Sequence, residues 1–233
     1  MKLAIHQPEF LPWLGFFYKM SLADEYIILD HVQFKKRYFE NRNKILSPQG
    51  VESWISVPVI TKGRYTQAIN EVEIDNSRNW KNKFLATIEH YYSKSKYFYT
   101  YFNELNSIIV AYDGNRLVDL NIALINFFRK HLYITCPLRF SSEMIGSDWH
   151  HLGSDLILQL CLLAGAEVYL CGPSGKDYLK LEEFSAQGIG IEWLAYQHPR
   201  YVQLSQEFVP YLSTLDLLFN YGEDSMAILM SQD

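Results

Sequence analysis

Cysteine is scarce in this chain of 233 residues: Cys136, Cys161 and Cys171 are an odd set with no CxxC spacing. That excludes a disulfide scaffold and argues against a zinc knuckle. No run of about 18 apolar residues occurs, so a membrane-spanning helix is not expected. The N-terminus reads Met-Lys-Leu-Ala-Ile-His-Gln-Pro and lacks the long apolar stretch and small-residue cleavage site of a secretory signal. A reducing cytoplasm is the expected location. Positive charge is also in deficit, with 21 Lys and Arg against 26 Asp and Glu, a net −5. Such a balance argues against general binding to nucleic acid or to anionic membranes, and nucleic acid and membrane insertion are left out of the expected partners.

What is present fits a folded globular protein, 48% hydrophobic and 20% charged, and the length fits one α/β domain over residues 1–233. Two features stand out. Aromatic residues make up 15%, including 17 Tyr and 14 Phe, and tyrosines line sites that stack rings and hydrogen-bond hydroxyls. Charge is also unevenly placed. Between His31 and Arg64 lie seven cations and two acids, a +5 segment in a chain that is otherwise −10.

The apolar pattern gives the order of elements. Lys2 to His6 reads as a buried strand and Gln7 to Pro12 as a loop broken by two prolines. Trp13, Phe16, Phe17 and Met20 have helical spacing, and Tyr26 to Asp30 reads as a second buried strand. Together they form a βαβ unit of about 30 residues. Lys44 to Val59 reads as a β-hairpin turning at Ser47-Pro-Gln-Gly50, and Glu71 to Asp75 alternates like another strand. Three helical stripes follow, in a block of about 78–132. Strand–helix alternation then returns with Leu138 to Phe140, a helix ending at Gly165, Glu167 to Cys171, and Ile191 to Ala195. The expected fold is α/β, a mostly parallel sheet opening with a βαβ unit, with the hairpin and about three helices inserted.

Ligands on such sheets sit beyond the carboxyl ends of the strands. Those ends carry His6-Gln7 and Asp30-His31. A histidine there can act as base or acid near neutral pH, since its ordinary pKa is about 6.5; the bland alternative is a strand cap. Lys35, Lys36 and Arg42, with Asn41 and Asn43, follow the second strand. Cations of this kind suit phosphate oxygens and asparagine amides can read a sugar or base; the alternative is a solvated loop. Phe34, Tyr38 and Phe39 interleave the cations, which single-stranded nucleic acid would also fit, but the net negative charge favours a small phosphorylated ligand. Gly172-Pro-Ser-Gly-Lys176 fails the spacing of a phosphate loop, yet such a turn, with Ser174 and Gly175, can offer backbone donors to an anion. His150-His151 lacks an identifiable third ligand, so no metal is expected. No cofactor can be named.

Seven blocks in order resemble the WbqC-like protein family over essentially the whole chain. They are Ile5 to Pro12 (IHQPEFLP), Ala23-Asp24 with Ile28 to Phe34, Asn41-Arg-Asn43, Ser142-Glu143, Tyr169 to Tyr178, His198-Pro-Arg-Tyr201 with Gln203, and Leu212 to Asp216 with Asn220-Tyr-Gly222. The resemblance implies a place in surface-polysaccharide synthesis, including O-antigen lipopolysaccharides with acylated amino sugars. It supplies no agreed catalytic residue. At Cys171 the family pattern favours serine, which weighs against a cysteine nucleophile.

The expected activity is transfer of an acyl or aminoacyl group, glycyl for example, to the amine of a nucleotide-linked amino sugar. His6, with Gln7 and Asp30, is the expected catalytic group. Lys35, Lys36 and Arg42 are expected at the diphosphate, and Asn41, Asn43, Ser142 and Glu143 at sugar hydroxyls. Gly172, Ser174 and Gly175 would offer backbone donors, and Tyr178, His198 and Tyr201 would complete the substrate-binding set. The partners are then a nucleotide-linked sugar and an acyl donor, with a homo-oligomer open. Two alternatives stand beside it: ATP-dependent acid activation or nucleotidyl transfer, and a non-catalytic component of a glycan-synthesis complex.

Overall fold

The computed structural model describes residues 1–145 and 152–231; His150 and His151 lie outside the described residues. The chain divides into two compact units. The first comprises Met1–Gln7, Tyr18–His31 and Thr135–Tyr196, and the second Pro8–Phe17, Val32–Ile134 and Gln197–Asp233.

The first unit is built on five strands, β1 (Lys2–His6), β2 (Glu25–Ile28), β5 (Leu138–Phe140), β6 (Val168–Cys171) and β7 (Gly190–Trp193). Their order across the sheet is β5-β2-β1-β6-β7, and all four pairings are parallel. Leu3 to Ile5, Tyr26 to Ile28 and Tyr169 to Cys171 are buried without alternation, as parallel strands covered on both faces require. From β1 the chain steps outward to β2 and β5, then returns to the other side of β1 for β6 and β7. This reversal puts a topological switch point between β1 and β6.

Helix α1 (Leu14–Ser21) joins β1 to β2, which completes the βαβ opening. Its early residues are counted with the second unit and Tyr18 onward with the first. The first unit also holds α5 (Ser141–Met144), α6 (Gly153–Ala164) and α7 (Leu181–Ala186). α6 stops where the sequence says it should. Gly165 takes φ of 69°, and Ala166 N–H closes back on the Cys161 carbonyl at 2.9 Å, the left-handed glycine cap.

The second unit pairs β3 (Arg42–Leu46) with β4 (Glu52–Ser56) as an antiparallel hairpin. Pro58 lacks the N–H that would prolong it. Three helices follow, α2 (Trp80–Tyr92), α3 (Phe98–Ala111) and α4 (Leu117–His131), the expected block. Their core is aromatic: Phe98 stacks on Phe102 at 4.5 Å between centroids and meets Phe219 at 5.2 Å. Phe219 lies on α8 (Thr214–Tyr221), which is followed by α9 (Ser225–Met230). No helix among the described residues is long and apolar enough to cross a membrane.

One expected strand is absent. Glu71 to Asp75 opens in a 3-10 turn, Ile69–Glu71, where the Glu71 carboxylate accepts the Ala68 N–H at 2.8 Å. Beyond it, Glu73 and Ile74 make only isolated bridges, to Arg116 and Val59. The alternation is real, but a strand needs a continuous partner and single bridges to two different segments do not supply one.

Candidate functional site

The carboxyl edge of the parallel sheet gathers a connected set of polar side chains of the first unit. At the end of β2, Asp30 is 3% exposed and accepts three hydrogen bonds. They come from Ser141 Oγ at 2.9 Å, Ser142 N–H at 2.9 Å and Ser142 Oγ at 2.6 Å. Ser141 and Ser142 follow directly on β5, the neighbour of β2, so sheet order produces this contact across 111 residues of chain. Ser141 Oγ also lies 2.7 Å from His31 Nδ1. A hydroxyl has one proton, and here it goes to the Asp30 carboxylate. His31 Nδ1 must then carry hydrogen and donate to Ser141, which leaves the lone pair on Nε2. Burial holds the His31 pKa below its ordinary 6.5, partly offset by Asp30. The half-buried ring is therefore neutral at pH 7, its tautomer fixed by the Asp30–Ser141 chain.

His6 ends β1. Its Nδ1 lies 3.0 Å from the Gln7 carbonyl, which can only accept, so Nδ1 bears the hydrogen. Burial, and then the nearby Lys19 ammonium, push the His6 pKa down to about 4, against the Gln7 bond. A base working near neutral pH wants a pKa close to that pH, and His6 lies well below it. The arrangement suits a neutral hydrogen-bonding imidazole better than the expected base. Asp30 likewise acts through Ser141 and Ser142, because its oxygens already hold three donors.

Beyond β6, residues Pro173–Asp177 form a single 3-10 turn. A Cβ on Gly175 would lie 2.1 Å from Cys171 Sγ, so glycine is there because the thiol fills the space. Burial raises the Cys171 pKa, against Lys19, Tyr169 and the Gly175 backbone, and the sulfur stays a thiol at neutral pH. Gly172 is half-buried, Ser174 and Glu143 are exposed, and Tyr178 is 47% exposed. Thus His6, Gln7, Asp30, Ser142, Glu143, Gly172, Ser174, Gly175 and Tyr178 all lie at or just beyond strand ends of this one edge.

Three groups here were not among the expected site residues. Ser141 and His31 flank expected ones, and His31 directly follows Asp30 at the strand end. The third, Lys19, is the lone charged residue of α1, a cation on an otherwise apolar helix, which was a legible signal. It is buried, and its Nζ donates to the Ile5 carbonyl at 2.8 Å.

The remaining expected residues belong to the second unit. Asn43 is fully buried; its amide donates to the Phe10 and Leu11 carbonyls at 3.2 and 2.9 Å and accepts Lys44 N–H at 2.8 Å. These bonds use its polar atoms on the backbone and leave none to read a sugar. Asn41 donates to the Val57 carbonyl at 2.9 Å. The Arg42 guanidinium lies 3.9 Å over the Trp54 ring and donates to the Arg37 carbonyl. Lys35 sits over Tyr38 at 5.5 Å and Lys36 over Tyr65 at 5.0 Å, so these three cations of the +5 segment each lie over a ring. His198 packs among Tyr201, Phe208 and Tyr211, and burial lowers its pKa. Tyr201 hydrogen-bonds the buried Asp216. A cleft of about 540 Å³ in this unit, lined by Asn76, Arg78, Trp80, Lys81 and Tyr112 among others, contains none of the expected site residues. Among the described residues no group of three or more His, Cys, Asp or Glu is placed to hold a metal ion.

A family profile matches residues 7–228, which include nearly all of these loops. The chain belongs to the WbqC-like protein family. The uncharacterized protein Rv1507c of Mycobacterium tuberculosis is similar to it, 35% identical over 225 residues that cover 96% of this chain and 95% of the relative. No solved structure matches. The family match therefore covers both units.

Proposed function

We propose that this WbqC-like protein transfers an acyl or aminoacyl group to the amine of a nucleotide-linked amino sugar destined for a surface polysaccharide. The observation that carries this reading is the Asp30–Ser141–His31 chain at the carboxyl edge of an all-parallel sheet. Amide formation needs a proton acceptor at the attacking nitrogen. The amine attacks the acyl carbon, a C–N bond forms, and the bond from that carbon to the donor's carrier breaks. His31 Nε2 takes the N–H proton and returns it to the departing carrier. Asp30 and Ser141 hold the ring in the tautomer that this requires, as the orienting group of a base does. The edge also favours a nucleotide, because open α/β sheets bind such ligands at a switch point, and the family resemblance supports an amino-sugar acceptor.

The same switch point favours a second reading, ATP-dependent acid activation or nucleotidyl transfer. A thermal-shift panel separates the two. Stabilisation by UDP- or dTDP-linked amino sugars, and not by the same sugars lacking the amine, supports the transferase. Stabilisation by ATP with magnesium alone favours the second reading, and no shift with any of them favours a non-catalytic component. In the transferase, His31→Gln keeps the shift but slows transfer by about 10²–10⁴-fold. Unchanged transfer in that variant would remove His31 from the chemistry.

A further inference from the structure

Among the described residues Lys19 is the one buried Lys or Arg side chain. Its position follows from the sheet. The register of β1 on β6 pairs Leu3 with Tyr169 and Ala4 with Leu170, and goes no further. Carbonyls alternate sides along a strand. The His6 carbonyl accepts Leu29 N–H on the β2 side, so the Ile5 carbonyl points toward β6, one residue past the last pair. Lys19 Nζ donates to that carbonyl at 2.8 Å and lies 5.6 Å from the centroid of the Tyr169 ring. The ammonium therefore occupies the gap where the two central strands part, which is the switch point itself.

The titratable groups near it in this unit are His6, Cys161, Cys171 and Tyr169. None is a carboxylate, and among the described residues no ion pair involves Lys19. A buried charge without a counter-charge is costly, and two of the three ammonium donors remain after the Ile5 bond. An anion in the gap would supply both the charge and the acceptors.

We infer that Lys19 anchors the diphosphate of a nucleoside diphosphate at the gap between β1 and β6. This rests on the nucleotide-linked acceptor proposed above, and it names the group that holds the nucleotide. Burial places the Lys19 pKa at about 8, so the anchor is charged at neutral pH and uncharged well above pH 8.

Calorimetric titration of the full chain with UDP, inorganic pyrophosphate and uridine tests the assignment. UDP and pyrophosphate should bind at pH 7.5 and uridine should not. UDP affinity should fall about tenfold or more between pH 7.5 and 9.5 as Lys19 loses its proton. Lys19→Met, shown folded by circular dichroism, should bind UDP about tenfold or more weakly at pH 7.5. Lys19→Arg should bind UDP without the pH-dependent fall. Binding by Lys19→Met within twofold of wild type, a flat wild-type profile, uridine as tight as UDP, or no UDP binding by the wild type would each overturn the inference. Should Lys19→Met not fold, the wild-type profile and Lys19→Arg decide. None of these measurements needs turnover. A chain that binds UDP through Lys19 but transfers nothing overturns the proposed activity alone.

Discussion

Gly175 and Cys171 show how closely single residues are fitted at the sheet edge. The thiol lies where a Cβ at position 175 would go, 2.1 Å away. Gly175→Ala should therefore lower the unfolding free energy by about 1–3 kcal/mol through overpacking. Because the clash has one main partner, Cys171→Ala in the same chain should recover much of the loss, a coupling that urea denaturation of the four proteins of the cycle would read. Additive losses would mean that the strain lies in the backbone of the turn. At this scale the sequence marked the turn through its glycines and prolines. It did not show that a strand-end thiol requires Gly175.

At the scale of elements, α4 fixes a loop through one side chain. Asn121 is fully buried, and its amide donates to the Pro8 carbonyl at 2.9 Å and the Glu40 carbonyl at 2.8 Å. Leucine at this position fills a similar volume but leaves both carbonyls without this donor. Asn121→Leu should cost about 2–6 kcal/mol of stability, at about 1–3 for each buried group left unsatisfied. A loss under 1 kcal/mol in chemical denaturation would show that water or another donor replaces the amide. The helix itself was legible, because Leu117, Leu120, Leu124 and Phe128 recur at helical spacing. Asn121 looks like any polar residue in that pattern, since its two acceptors lie 113 and 81 residues away. α8 went unread although Ser213 caps it, with its Oγ accepting Leu215 N–H at 3.3 Å, a signal that a search for capping residues would find.

For the whole molecule, the buried carboxyls set the response to pH. Burial raises Glu9 to about 8, with Glu40 adding to it, and raises Glu40 to about 7 and Asp216 to about 6. Their folded pKa values lie above the unfolded ones, so the folded state holds protons that the unfolded chain has released. The stability they contribute is full below the ordinary carboxyl range and is lost as pH rises through the folded values. His6, at about 4, has the opposite sense, and its contribution is present above 6.5 and lost as pH falls toward 4. Lowered His31 and His198 share that sense. Between pH 6.5 and about 7.5 the histidines no longer oppose the carboxyls and Lys19, lowered to about 8, still holds its proton, so the urea midpoint should fall as pH rises. Glu9→Gln and Glu40→Gln should each flatten that slope. A midpoint that rises across this window in the wild type would contradict the assignment.

Local elements and the class of fold follow from the residue pattern. Parallel strands covered on both faces must be continuously apolar, and helices must repeat their apolar face about every 3.6 residues, so β1, β2, β6 and α2 to α4 could be read from neighbouring residues alone. Which strands adjoin is settled by long-range packing. β1 and β6 lie more than 160 residues apart along the chain, and periodicity carries no information about such a pairing. That pairing places Lys19 in the gap between them, as the adjacency of β2 and β5 brings Ser141 onto Asp30 and His31. It also separates groups that look equivalent in sequence, because burial and neighbours make Asn43 a backbone clamp and His31 a ring of fixed tautomer.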